Sequence, residues 1–422
     1  MSPEPSAGVL LDHLFRHQAG RMVAHFTRLL GPARMDLAEE VVQEAMLRAL
    51  QTWPYTGVPE NAPAWLFRVA HNAAIDALRR SHLAQEKTES LVAELSSSLT
   101  PQEDPDLEEQ LRDDELRMIV MCCHPEIPRD AAVALSLKTV GGFGVREIAR
   151  AFLADDAAIA QRLVRAKRQI RDRRLTLEMP RGAELEHRLD SVMEVIYFMF
   201  NEGYAAHEGE ELIRADLCLE ALRLGQLIAA SSIAVPKVHA LVALMAFHAA
   251  RLRARTDESG DLVLLDSQDR SRWDSRLIAI GFHHFDRSIS GDTVTSYHAE
   301  AAIAATHARA PHPDATDWPM ILEFYDHLLA MNPSGVVALN RAVALGKVHG
   351  ADQALAAVDT LAKDPKLRDY YLLLAVRGHI LLELARPGEA ANCFRAALEK
   401  RCSAPERRFL ERKLTECRER AA

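Results

Sequence analysis

Apolar positions recur along this chain at three- and four-residue steps almost from end to end, and that spacing predicts helices throughout. Val9 to Leu30 forms a first helical pattern, closed by Gly31-Pro32. Asp36 to Leu50 forms a second, with Asp36 placed to cap it and with Leu37, Val41, Ala45 and Ala49 facing a core. Its outer face carries Glu40, Gln43 and Glu44, an acidic and polar patch whose simplest reading is a solvated face. Gln51 to Pro63, QTWPYTGVPENAP, holds three prolines and a glycine and predicts a loop. Ala64 to Arg80 is a third helix, with Leu66, Val69, Ala70, Ala73 and Ala77 inward and Arg68, Asn72, Asp76, Arg79 and Arg80 outward.

The pattern changes between Ser81 and Glu115. From Thr100 to Glu115 there are eight acids and one base, Arg112, which predicts a disordered acidic linker over 83–112. Helices at Leu116–Cys123 and Ala131–Lys138 then lead into a helix-turn-helix pattern over Thr139–Arg174. Val145–Leu153 is its first helix, with Ile148, Ala149 and Phe152 inward. Ala154–Asp156 is a short turn in which either Asp is placed to cap the next helix. In the second helix, from Ala157 to about Arg171, Ile159, Leu163, Ala166 and Ile170 share one face, and Gln161, Arg165 and Arg168 share another. Seven basic residues lie between Arg162 and Arg174 against one acid, Asp172. A helix packed on one side and cationic on the other suits the major groove, where phosphates supply affinity and base edges supply sequence.

Beyond Arg181 the pattern is helix after helix. The most apolar stretch, Leu227–Ala250, is broken by Pro236, Lys237, His239 and His248 and reads as buried helix, not a membrane span. Asn201–Tyr204 follows an apolar helix and predicts a turn. Near the end Gly350, Ala354 and Val358 recur as Gly388, Ala390 and Phe394, a spacing of 36 to 38 residues that suits tetratricopeptide-like helix pairs over about 330–422. Asp266–Asp274, DSQDRSRWD, gathers Asp269, Arg270, Arg272, Trp273 and Asp274 into one loop. It reads either as a pocket for a ligand or partner segment or as an internal salt-bridged lock between helices.

Composition narrows the choice. With 48% hydrophobic residues and 6% aromatics, the 422-residue chain has ample material for a core, and its Ala and Leu content favours helices. A net charge of −9 means that any DNA contact must be local. Six scattered cysteines without a CxxC pair read as reduced cytoplasmic thiols, and no signal peptide opens the chain. Cys122-Cys123-His124 and Phe282-His283-His284-Phe285 lack metal-ligand spacing, so no metal and no cofactor is expected. No nucleophile elbow, phosphate loop or HExxH occurs after residue 181, so no enzyme is expected there. Together these readings give an all-α chain: helical domains over 1–82 and 113–178, a linker between them, and a helical extension over 181–422.

Residues 9–175 resemble a bacterial RNA polymerase sigma factor of the extracytoplasmic-function type, two helical domains joined by an acidic linker. DLAEEVVQEAMLRAL resembles that family's helix for docking on the clamp of the polymerase β′ subunit, which implies a core-binding role for Glu40, Gln43 and Glu44. AWLFRVAHNAAIDALRR resembles the helix that reads and opens the −10 element, and the preceding loop resembles the one that captures a flipped base. The resemblance thus implies −10 contacts for Asn61, Trp65, Arg68, Asn72, Arg79 and Arg80, with aromatics to stack on bases and amides to bond their edges. REIARAF…IAQRLVRAKRQI resembles the −35 reader, implying Gln161, Arg162, Arg165, Lys167 and Arg168 as duplex contacts. Where the family commonly has a basic residue and then Ser, this chain has Ala160 and Gln161, which alters the −35 sequence expected. The extension resembles that of one sigma subgroup, through YFMFNEGYAAHEGEELIRADLCLEALRL, SQDRSRWD and VVALNRAVALGKVHGADQAL. The implied partners are core polymerase, through its β′ clamp and β flap, and promoter DNA, with a ligand or protein at the extension and no membrane. The competing expectation is a duplex-binding helix-turn-helix regulator with a tetratricopeptide-like sensor domain.

Overall fold

The computed structural model describes residues 7–80, 107–152, 154–204, 213–367, 370–400 and 402–421. Eighteen α-helices run through them, and the only β pairing among the described residues is an isolated bridge between Thr256 and Leu262. The contacts divide the chain into two compact units, Met1–Val195 and Ile196–Ala422. No helix among the described residues is long and apolar enough to cross a membrane.

The first unit begins with α1 (Ala7–Leu30), α2 (Met35–Thr56) and α3 (Ala62–Arg80). Their shared core holds Met22, Phe26, Val41, Val42, Ala45, Leu66, Phe67 and Ala70, with the Phe26 and Phe67 rings 5.3 Å apart. The apolar stripe of α3 is Leu66, Phe67, Ala70, Ala73, Ala74 and Leu78, while the expected Val69 and Ala77 are only half-buried. Phe67, the largest side chain on that side, sets the rotation of the helix.

Two expectations for α2 are corrected. The helix does not stop at Leu50 but continues through Pro54 to Thr56, where Gly57 at φ 82° closes it and donates its N–H to Trp53 O at 3.0 Å. A proline in the last turn costs only the N–H that would bond one carbonyl, and that carbonyl belongs to Leu50, on the solvent side. At the other end Arg34, not Asp36, is the N-cap, and no side chain caps the helix.

After residues 81–106, which lie outside the described set and include most of the expected linker, come α4 (Leu107–Cys122), α5 (Arg129–Thr139), α6 (Val145–Ala151) and α7 (Asp156–Asp172). Residues 107–112, expected as linker, are the first turns of α4. Asp114 and Glu115, counted in the acidic run, are 4% and 0% exposed. The Asp114 carboxylate accepts from His25 Nδ1 at 2.8 Å and pairs with Arg28 Nε at 2.7 Å, and Glu115 pairs with Arg21 at 3.5 Å. Partners some 89 residues away in sequence turn what reads locally as a solvated tail into a clamp on α1. At Gly20 an added Cβ would stand 2.0 Å from Val140 O, so the absence of a side chain lets α1 meet the end of α5.

α5 is buried on almost every side from Ala131 to Thr139. Cys122 and Cys123 lie against it, with their Sγ atoms 3.5 and 3.6 Å from the Thr139 and Ser136 hydroxyls. Burial pushes the Cys122 thiol up to about 12 and Cys123 higher still, so both stay protonated and pack as small apolar groups.

α8 (Ala183–Tyr204) runs from the first unit into the second. It remains helical through Asn201–Tyr204, where a turn was expected. Gly203 allows this, because a Cβ there would lie 2.8 Å from Arg214 O, and the incoming chain donates Arg214 N–H to Gly203 O at 2.7 Å. The second unit continues with α9 (Ala215–Ala229), α10 (Pro236–Ala250), α11 (Ser275–Ser288), α12 (Ser296–Arg309) and α13 (Trp318–Met331). The apolar run Leu227–Ala250 is therefore the end of one helix and the whole of the next, with Pro236 at the first position of α10. α10 is buried on nearly all faces and is packed by α9, α11 and α12.

The chain ends in stacked helical pairs: α14 (Gly335–His349) with α15 (Ala351–Leu361), α16 (Tyr371–Glu383) with α17 (Pro387–Leu398), then α18 (Ala404–Ala421). Ala354, Val358, Ala390 and Phe394 are buried knobs, as their recurrence in the sequence implies. The glycines are not the ones expected. Gly350 is a positive-φ cap and Gly388 has open space beside it. The close crossings fall at Gly346, where a Cβ would lie 2.9 Å from Ala354 Cβ, and at Gly378, where it would lie 2.8 Å from the Phe394 ring.

Candidate nucleic-acid interface

Three surfaces of the first unit carry the residues singled out by sequence. On α2, Glu40 and Gln43 are exposed, and Glu44 is half-buried with its carboxylate 2.8 Å from Arg48. The same face carries Leu47 and Leu50, 55% and 64% exposed. These apolar side chains escaped the sequence reading because they break no helical period. Exposed leucines at three- and four-residue steps beside Gln43 give the polar patch an apolar centre, a mixture typical of a partner surface.

On α3, Asn72, Arg79 and Arg80 are exposed and Arg68 is half-buried. Arg80 Nε donates to Asp76 O at 3.3 Å, folding that side chain back along the helix. Asn61 plays a different part: its Oδ1 accepts the Ala64 N–H at 3.0 Å and caps the helix start. Trp53 is 7% exposed in the last turn of α2, with its ring edge-on to Trp65 at 5.5 Å. Trp53 is thus a core anchor and not a free stacking platform, while Trp65 is half-buried and Tyr55 is 89% exposed.

The residues expected to form a helix-turn-helix fall on α6 and α7. Glu147 Oε2 accepts the Gly144 N–H at 2.6 Å and fixes the entry to α6. Asp155 is the N-cap of α7 but makes no side-chain cap bond, and Asp156 pairs with Arg146 at 3.6 Å. Ile159, Leu163, Ala166 and Ile170 are all buried, as their spacing predicts.

The basic residues of α7 divide between two sides. Gln161, Arg165 and Arg168 are exposed on one face together with Val164, with Arg165 donating to Gln161 Oε1 at 3.3 Å and Arg168 pairing with Asp172 at 3.2 Å. Arg162 leans back to Asp130 at 3.3 Å. Lys167 does not join them: its side chain is 16% exposed, and Nζ lies 2.8 Å from both Asp36 and Glu39 on α2. Burial alone would lower its pKa, but the two carboxylates outweigh that and the net shift is upward, so the ammonium is held charged.

The loop at 266–274, in the second unit, spends its polar groups internally. Asp269 caps the turn at 270–272, accepting the Ser271 N–H at 2.9 Å, and Asp274 caps α11, accepting N–H bonds from Arg276 and Leu277. Arg270 donates to His307 O at 2.8 Å, to Ala310 O and to Thr316 Oγ1, and its guanidinium stands 5.1 Å from the Trp273 ring. Arg272 reaches Thr256 O at 3.4 Å. This is the arrangement of a lock between helices.

Two stretches of the chain match known families. Residues 14–83, from within α1 to just past the end of α3, match the sigma-70 region 2 family. Residues 188–289 match a family described only as a family of unknown function, DUF6596. The chain is 40% identical over 385 residues, 90% of its own length and 90% of the relative's, to "Uncharacterized protein R00370" of Rhizobium meliloti (strain 1021). No solved structure matches it.

Proposed function

We propose that this chain, which belongs to the same family as the uncharacterized Rhizobium meliloti protein and carries a sigma-70 region 2 domain, is a sigma factor of the extracytoplasmic-function type that binds core RNA polymerase and directs promoter-specific initiation. The observation that supports this most is the pair of outward faces inside the matched region. Glu40, Gln43 and Glu44 with the bare Leu47 and Leu50 form a docking face for the β′ clamp, and Asn72 with Arg68, Arg79 and Arg80 forms a reader of the melted −10 strand. Asn61 contributes by fixing the start of α3. Outside the match, Gln161, Arg165 and Arg168 form the −35 reader, with phosphate contacts for affinity and base edges for sequence. The protein performs no chemistry of its own and works in the cytoplasm.

The first unit is then a closed form. The −10 and −35 elements lie about 25 base pairs apart, roughly 80 Å along B-form DNA. Helices α1–α3 and α4–α7 are held together by the Gly20–Val140 contact, the Asp114 clamp and the Lys167 bridge. Loading on polymerase and promoter separates the two sets, so these links oppose loading. The extension, with its tetratricopeptide-like pairs, serves as a fused regulatory or interaction domain.

Affinity for core polymerase tests the reading. Gln43→Ala and Leu47→Asp, on the surface and away from the core, are expected to weaken core binding without lowering the melting temperature. Undiminished binding by both would remove the docking face. Asn72→Ala is expected to abolish promoter opening while duplex binding persists. Unchanged transcription by that variant would favour a duplex-binding regulator.

A further inference from the structure

Within the second unit, α8, α10, α12, α13 and α14 line a cavity of about 470 Å³. Two charged groups line it, Arg251 just after α10 and Glu300 of α12, and they make no ion pair with each other. Arg251 lies 3.1 Å from His248 Nδ1, and its guanidinium also lies 5.3 Å from the Tyr204 ring centre. No carboxylate pairs with it among the described residues. Glu300 accepts the Tyr197 hydroxyl and has no basic partner among the described residues. A guanidinium stays protonated in any protein setting, and leaving one charge in the interior without a counter-charge is costly. The neighbouring histidines do not change this balance. Burial pushes His307 down to about 4 and holds His248 well below its ordinary value, so both are neutral at pH 7 and Arg251 is the cation of the cavity.

The cavity adjoins a second one of about 320 Å³, and Leu265, His307, Tyr325 and Asn340 line both. The walls of the second are largely apolar, including Val343, Leu372, Val376, Ile380, Phe394 and Leu410 from the terminal helical pairs. A polar chamber whose Arg251 guanidinium and Glu300 carboxyl group have no oppositely charged partner among the described residues therefore opens towards an apolar one, and burial raises the Glu300 pKa. No group of three or more His, Cys, Asp and Glu able to hold a metal occurs among the described residues, so the polar chamber is not a metal centre.

We propose that this cavity binds a small zwitterion with an apolar body, an apolar α-amino acid being the simplest example. Arg251 takes the carboxylate, Glu300 takes the ammonium, and the side chain extends towards Leu265 and the apolar chamber. Both charges of the protein are then compensated, and so are both charges of the ligand. An anion alone would leave Glu300 facing it, and an amine alone would face Arg251. Loop 266–274 gains a purpose in this arrangement: Arg270 ties down the end of α12, where His307 sits, and Trp273 is part of the cavity wall. The site is independent of the sigma reading, since it is read out by binding and not by transcription.

The test is calorimetric titration and thermal shift of the full chain with L-leucine, L-methionine and L-phenylalanine. 4-Methylpentanoate and 3-methylbutylamine serve as leucine without its amine and without its carboxylate. At least one amino acid is expected to bind and raise the melting temperature, and loss of either charged group is expected to weaken binding by at least about tenfold. Arg251→Gln should cost a similar factor for the amino acid and none for the amine. Glu300→Gln, which keeps a partner for Tyr197, should cost the amino acid and not 4-methylpentanoate, so the assignment stays testable if the Arg251 variant folds poorly. Absence of binding by all three amino acids, equal binding of the analogues, or full affinity in both variants would overturn the proposal.

Discussion

Lys167 Nζ on α7 lies 2.8 Å from Glu39 Oε1 on α2, so a basic residue in the midst of a cationic helix is turned away from the exposed face that carries Arg165 and Arg168. Glu39 is 14% exposed, whereas Asp36, the other carboxylate on Lys167, is 76% exposed. The shielded arm carries the energy. Glu39→Gln is expected to destabilise the first unit by about 1.5–3 kcal/mol, the usual worth of a hydrogen bond to a charged group, while Asp36→Asn changes little because water already screens it. Denaturant midpoints of the two variants check this. Hydrogen exchange in α2 and α7 should rise in the Glu39 variant alone.

Gly20 gives a prediction whose sign opposes helix propensity. Within α1, Gly20→Ala should stabilise an isolated helix by about 1 kcal/mol. The new Cβ would meet Val140 O at 2.0 Å, however, so the contact between α1 and the end of α5 must yield. The net expectation is a loss of at least about 2 kcal/mol in the full chain, measured by urea unfolding. A gain in stability would show that the contact is dispensable.

The division of basic residues on α7 is read by the salt dependence of promoter binding. Each phosphate contact contributes about one counterion to the slope of log affinity against log salt. Arg165→Ala and Arg168→Ala should each lower the slope by about 1. Lys167→Ala should not lower it, and by releasing α7 from α2 it should strengthen binding.

Stability should fall in mild acid. His284 lies 2.9 Å from His239 and is held down to about 4, with burial the largest cause, and His307 is likewise pushed down to about 4. Both are neutral when folded, and on unfolding they regain the ordinary value near 6.5. Between pH 6.5 and 4 the unfolded chain therefore binds more protons than the folded one. Stability is full above pH 6.5 and is lost as pH falls towards 4. Thermal melts from pH 7.5 to 4.5 should show a steady decline, shallower in His284→Asn.

The apolar face of α7 was legible in full, because Ile159, Leu163, Ala166 and Ile170 follow the helical period and the partner elements are local. The rotation of α3 was legible only to within a position, since Ala-rich stretches give the period little contrast and Phe67 decides it. What escaped was long-range. Nothing in the acids around Asp114 signals that His25 and Arg28 are their partners, and nothing in the arginine-rich stretch separates Lys167 from its neighbours. In loop 266–274 the residue types were visible, but a capping Asp and a ligand-binding Asp look alike until the following backbone N–H groups are placed. The cavity between Arg251 and Glu300 was invisible for the same reason: Arg251 lies just after α10 and Glu300 on α12, each unremarked within its own period.

The most direct test of the account is multi-round transcription by purified core polymerase on host genomic fragments, with and without the full chain, with transcript starts mapped to the base. The account predicts new, defined start sites that share a −10 and a −35 sequence and that vanish with Asn72→Ala. Absence of new starts from a chain that also fails to bind core polymerase would contradict it.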